Sequence, residues 1–204
     1  MTIPLLIAAG LAAILNWLAV AARVRWLELV SKPAVPIFLV GLVLSMEANP
    51  RRANWFVVAL LFSLAGDVFL MLRANLFIAG LVAFLLAHVA FIVGLAPDAD
   101  PTLIAVAAVA MGVVVVPLLR RVAKGAAQVA PGLVPPVYAY GVVITAMAAV
   151  AMGTANPFAM AGGLMFLLSD ALLAWNRFVR PFGWGPLFVM VTYHAALFGL
   201  VMSL

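Results

Sequence analysis

The chain has 204 residues, 69% of them hydrophobic, with 11 basic and six acidic side chains for a net charge of +5. A soluble domain carries about 25% charged residues; at 8%, this chain has more apolar surface than a water-soluble fold of its size can hide. The absence of cysteine excludes a disulfide scaffold, a thiol nucleophile and thiolate metal sites.

A helix crossing a bilayer needs about 20 apolar residues. The apolar runs are long and lack the alternation of barrel strands, so they predict helices. Eight spans follow in chain order, over 3–22, 30–46, 54–72, 75–95, 102–119, 133–152, 157–175 and 185–203. The expected fold is all-α, a polytopic membrane helix bundle forming one transmembrane domain over 1–204. The first span has no basic residue before it and is long for a signal peptide, so it reads as a membrane helix. The second is short unless it begins near Leu27, and Pro33 and Pro36 are expected in its first turn, where a missing N–H costs little. Asn49-Pro50, Pro97-Asp98, Pro131-Gly132 and Asn156-Pro157 mark turns or helix starts. Pro117 is expected to end or kink the fifth span. Trp26, Trp55, Trp175 and Trp184 fall near span ends, where an aromatic belt would put them.

The loop charges predict an orientation. Arg23, Arg25, Lys32, Arg73, Arg120, Arg121, Lys124, Arg177 and Arg180 fall on the side to which the first span leads; Arg51 and Arg52 fall on the other. The positive-inside bias then makes the richer side cytoplasmic and puts both termini outside. That role, with contact to anionic headgroups, accounts for the basic residues without nucleic acid.

Ionisable side chains inside a membrane are expensive and mark functional candidates. Four qualify, Asp67, His88, Asp170 and His194, and their arrangement repeats. Phe62 through Asp67 parallels Phe166 through Asp170. An arginine follows each aspartate, Arg73 and Arg177, and a histidine lies in each next span, His88 and His194. Spans three and seven run in the same direction, and each aspartate lies at a similar depth, one to two turns from the cytoplasmic end. This suggests a parallel repeat of four helices plus four, an architecture that places sites at the repeat interface. The bland alternatives are hydrogen-bonded helix contacts, an Asp170–Arg177 pair at i+7, and a local Glu28–Lys32 pair at i+4. No nucleophile elbow, zinc-ligand spacing or phosphate-cradling glycine loop is present, and no cofactor or metal is expected. Gly162-Gly163 reads as close helix packing.

Together, Ala65 through Met71, Phe84 through His88, Tyr140 through Met147, Phe166 through Asp170, Asn176-Arg177-Phe178 and Lys32-Pro33 resemble the YhhN family of membrane proteins. The resemblance covers nearly the whole chain. It implies a lysoplasmalogenase, which hydrolyses the vinyl-ether bond of a lysophospholipid to a fatty aldehyde and a glycerophospho-ethanolamine or -choline. It also implies a catalytic pair of aspartates, Asp67 and Asp170.

Vinyl-ether hydrolysis begins with protonation of the alkene carbon remote from oxygen. It needs a buried acid, a group that stabilises the resulting oxocarbenium ion, and a positioned water. Two carboxyl groups can divide these tasks. Apolar surroundings at Gly66 favour Asp67 as the acid, whereas Ser169 and Arg177 would hold Asp170 ionised. Lys32, Arg73, Asn176 and Arg177 are candidates for the substrate phosphate. Tyr138, Tyr140, Tyr193, His88 and His194 are candidate donors around the aspartates. A lysolipid entering from the inner leaflet would place its vinyl ether at their depth. The alternatives are a proton-coupled transporter or lipid-translocating protein using the same aspartates, and an intramembrane aspartyl protease, whose Tyr-Asp motif is missing.

Overall fold

A computed structural model describes residues 2–72 and 76–204, and Arg73 lies outside them. Eight helices follow one another: α1 (Thr2–Ala22), α2 (Arg25–Ser45), α3 (Pro50–Leu72), α4 (Phe77–Leu95), α5 (Pro101–Val129), α6 (Val134–Gly153), α7 (Pro157–Phe178) and α8 (Gly185–Met202). Each is long and apolar enough to cross a membrane, by itself or with the 3₁₀ turn beside it.

Local chemistry sets the ends. Asp100 and Asn156 cap α5 and α7, each accepting from two backbone N–H groups of the following turn, and Pro101 and Pro157 come next, where a missing N–H is harmless. The two-residue turn after α1 places Arg23 at φ +59°. Val24 N then bonds Ala19 O at 2.8 Å and Arg23 N bonds Val20 O at 3.2 Å, a Schellman closure that a glycine would usually supply.

Three boundaries differ from expectation. α2 starts at Arg25, so Pro33 and Pro36 lie inside it rather than in its first turn, and they leave the carbonyls of Leu29 and Lys32 without their usual donors. α5 continues through Pro117 to Val129, because neighbouring groups in a membrane bundle can compensate for a missing N–H. Arg120, Arg121 and Lys124 therefore ride on a helix rather than in a loop, and Arg177 likewise belongs to α7. At about 1.5 Å per residue the 29-residue α5 is about 44 Å long, well beyond a hydrocarbon core of about 30 Å.

Short connections make consecutive helices antiparallel neighbours, except that α5 does not pack beside α4. Contacts run from α1 to α2, α3 and α4, then from α4 to α6, α7 and α8, and from α8 back to α1; α5 packs against α6 and α7. Small residues permit the closest approaches. A Cβ on Gly162 would stand 2.6 Å from Leu200 N of α8, and one on Gly125 would stand 1.8 Å from Phe178 O of α7. The core centres on the interlocking rings of Phe56, Phe84, Phe91, Phe166 and Tyr193. At the other end of the bundle from Arg23, Arg52 ties α3 to Asp98 at 2.6 Å and to Ser203 O at 3.1 Å.

Candidate active site

The polar side chains inside the bundle gather toward one end. Asp67 stands five residues before the end of α3, and Asp170 eight before the end of α7. Lys32 is seven residues into α2, Tyr140 six into α6, Tyr193 eight into α8 and His88 eleven into α4. These helix ends all lie on one side, so the six residues occupy a band about 8 to 17 Å from it.

Within that band the aspartates form two stations. Asp170 is held through Oδ2. The Tyr140 hydroxyl donates to it, and His88 Nε2 lies 3.2 Å away. His88 Nε2 is also 3.1 Å from the Tyr140 hydroxyl, and its Nδ1 has no partner among the described residues. Asp67 is held by an ion pair at Oδ1, which has no hydrogen-bond partner among the described residues, and by a hydrogen bond at Oδ2. The Lys32 ammonium lies 3.2 Å from Oδ1, and the Tyr193 hydroxyl donates to Oδ2 at 2.8 Å.

The stations correspond under the expected repeat. Each aspartate is met by a side chain from the helix before it, Lys32 on α2 or Tyr140 on α6. Each is also met by one from the last helix of the other half, Tyr193 on α8 or His88 on α4. The helix contacts follow the same rule, α4 packing on α6 as α8 packs on α2.

Their surroundings differ. Asp170 lines a cavity of about 300 Å³ bounded by α4, α5, α6 and α7 and by Leu70 of α3, at the small end of the range usual for ligand pockets. Its polar side chains are Tyr140, Asp170 and Arg177; the rest of the wall is aliphatic or phenyl, including Val114, Leu118 and Leu167. Asp67 does not reach this cavity and is 1% exposed. Phe84 does line it and lies against the backbone of Gly66, where an added Cβ would be 2.5 Å from the ring. The link between the stations is aromatic. Tyr193 packs on Phe166 with ring centroids 5.5 Å apart, and Phe166 meets His88 edge to face at 4.5 Å.

The remaining candidates fall into place individually. Lys32 is buried rather than at a membrane boundary, and Glu28 pairs with Arg25 at 3.1 Å instead of with Lys32. Ser169 Oγ donates to Val189 O at 3.0 Å and Arg177 stacks over Phe77 at 4.0 Å, so neither contacts Asp170. Asn176 accepts the Phe182 N–H at 2.8 Å and packs against Gly185, shaping the α7–α8 connection. His194 accepts from Trp17 Nε1 at 3.0 Å through Nδ1. Tyr138 is 40% exposed. Sequence reasoning did not single out Asn16, whose amide donates to Ser31 Oγ at 3.3 Å inside the bundle, although an amide within the first apolar run was a visible signal. Among the described residues no three His, Asp or Glu side chains cluster with metal-ligand spacing.

Comparison with known proteins assigns the chain to a family. Residues 27–204 match the family described as YhhN. Human lysoplasmalogenase TMEM86B is 31% identical over 185 residues, which cover 89% of this chain and 76% of that protein. The mouse protein of the same name is 30% identical over 174 residues, covering 82% and 71%. No solved structure matches the chain. A family match spanning nearly all of this eight-helix chain, with relatives aligned over most of its length, establishes that the chain belongs to the YhhN family.

Proposed function

We propose that the protein is a lysoplasmalogenase-type hydrolase that cleaves the vinyl-ether bond of a lysophospholipid, with Asp170 as proton donor. The observation that carries this reading is a carboxyl group, braced by Tyr140 and His88, in the wall of an otherwise apolar cavity. The cavity suits an alkyl chain, and Arg177 on its wall offers a cation to the phosphate. The names of the human and mouse relatives support the reaction class.

In this scheme the acid form of Asp170 is the reactive one, and it presents Oδ1 to the substrate. Its proton passes to the alkene carbon remote from oxygen, leaving an oxocarbenium ion beside a new carboxylate. The Tyr140 hydroxyl and His88 Nε2 already sit at Oδ2, so donors are preorganised for the charge as it develops. The carboxylate then takes a proton from water as water adds to the oxocarbenium carbon. That step returns the proton to Asp170, and the hemiacetal then collapses to aldehyde and alcohol as its hydroxyl proton passes to the leaving oxygen. By the positive-inside bias, the end bearing the polar band faces the cytoplasm and both termini face outward.

The test is aldehyde release by the purified protein from lysoplasmalogen, beside the saturated alkyl-ether and acyl analogues. Only the vinyl ether should turn over, and Asp170→Asn should abolish turnover in a folded protein. Undiminished turnover by Asp170→Asn overturns the assignment. Transbilayer movement of the lysolipid without cleavage favours the translocating alternative.

A further inference from the structure

Asp67 has a different environment from Asp170, and its partners indicate a different task. A carboxylate that activates water needs a free oxygen facing the reacting centre. Here the Lys32 ammonium stands 3.2 Å from Oδ1 as an ion pair without hydrogen-bond geometry, the Tyr193 hydroxyl donates to Oδ2 at 2.8 Å, and Asp67 is not among the residues that line the cavity. The side chains of Lys32 and Asp67 are 8% and 1% exposed, and Phe84 lies between Gly66 and the cavity. From Asp67 the contacts lead through Tyr193 and Phe166 to His88, which bears on Asp170 at 3.2 Å.

We infer that Lys32 and Asp67 form a buried, charge-balanced pair that positions Tyr193, and through Phe166 holds His88 against Asp170; Asp67 is a positioning residue, not a second reacting carboxylate. This rests on the hydrolase reading of the Asp170 cavity. The physical signature of such a pair is compensation. Removing one partner strands the other charge in a low-dielectric interior, whereas removing both leaves none to strand. Asn at position 67 can still accept the Tyr193 hydroxyl, and Met at position 32 keeps the volume of the lysine stem.

The experiment compares wild type with Lys32→Met, Asp67→Asn and the double variant, all reconstituted in phospholipid nanodiscs. Each single variant should lose aldehyde release by more than about tenfold and melt about 10 °C lower. The double variant should recover to within about threefold of wild type in kcat and to near the wild-type melting temperature, showing non-additive coupling. Its pH–rate profile should keep both wild-type limbs, which a carboxylate that titrates in the reaction could not permit on removal. A double variant that melts like wild type but stays as inactive as Asp67→Asn overturns the inference and returns Asp67 to the chemistry. So does an Asp67→Asn variant with full activity and stability. The melting temperatures need no substrate. If wild type releases no aldehyde, the hydrolase reading fails alone, and additive melting shifts would then refute the pair itself.

Discussion

Replacing Tyr140 by Phe tests the preorganisation of the Asp170 station with minimal disturbance. The phenyl ring keeps its edge-to-face contact with His88, whose centroid lies 5.4 Å from that of Tyr140. Only the hydroxyl that donates to Asp170 Oδ2 is lost. If Asp170 is neutral before the reaction and anionic after protonating the substrate, this hydrogen bond gains strength during the chemical step. A hydrogen bond to a charged group contributes about 1.5–3 kcal/mol, equivalent to between about tenfold and about 150-fold in rate. His88 remains as the second donor at 3.2 Å, which argues for the lower half of that range. The loss should appear in kcat with KM nearly unchanged, because ground-state binding of the alkyl chain depends on the aliphatic wall. Steady-state aldehyde release over a range of lysoplasmalogen concentrations separates the two. An unchanged kcat, or a loss confined to KM, would refute the assignment of Tyr140 to the developing carboxylate.

Other consequences follow from the same geometry. Ala171→Phe puts a ring into the cavity beside Asp170 and should raise KM more for long-chain than for short-chain substrates, as read from a chain-length series. Gly125→Ala sets a Cβ 1.8 Å from Phe178 O and should lower the melting temperature by several degrees by parting α5 from α7, an overpacking penalty of about 1–3 kcal/mol. The Leu103 and Thr102 N–H groups hold the Asp100 carboxyl below its usual pKa. Its capping contribution is therefore present above the unfolded-state pKa and lost as pH falls through the lower folded value. Asp100→Ala should accordingly melt lower than wild type at neutral pH, and the gap should close in strong acid. Because the chain has no cysteine, single thiols report orientation. In intact cells an impermeant maleimide should label Glu47→Cys, in the α2–α3 connection, and spare Gly183→Cys, in the α7–α8 connection; the reverse pattern inverts the topology.

The aspartates and histidines were legible because a charge or an imidazole within an apolar run is conspicuous at any register. The eight spans were legible because hydrocarbon thickness sets a length that loops do not reach. Lys32 was misplaced for an identifiable reason. Pro33 and Pro36 imitate the start of a helix, so the residue before them looked like part of a basic loop, with Glu28 at i+4 as an obvious partner. The helix begins at Arg25, five residues before the expected span, which carries Lys32 inward and turns it toward α3. The cavity left no mark in the sequence. The valines and leucines that line it have the same composition as those facing lipid, and a void depends on how four helices meet rather than on any one of them. Tyr140 was a candidate by residue type and by its place in a family-like segment, but its pairing with Asp170 is a contact between helices.

The correspondence between the stations bears on why one aspartate lines the cavity and the other does not. Both halves supply the same scaffold: an acid on the third helix, a partner on the second, and a third group from the last helix of the opposite half. What differs is the partner on the second helix. Tyrosine at 140 donates one neutral hydroxyl to a single oxygen of Asp170, leaving the other free to carry and deliver a proton. Lysine at 32 brings a full charge to Asp67, and with Tyr193 on the second oxygen and no opening to the cavity that carboxylate is enclosed. The fifth helix differs as well. It stands away from the circuit against α6 and α7 and helps wall the cavity at the Asp170 station, whereas its counterpart α1 packs on both α2 and α8 and puts Asn16 and Trp17 inside the bundle. The same four-helix plan thus yields an open station where the partner is neutral and the first helix is displaced, and a closed one where the partner is charged and the first helix is packed in. The two are joined through Phe166, which packs on Tyr193 at one station and on His88 at the other; in the proposed reaction that contact lets the closed station brace the open one.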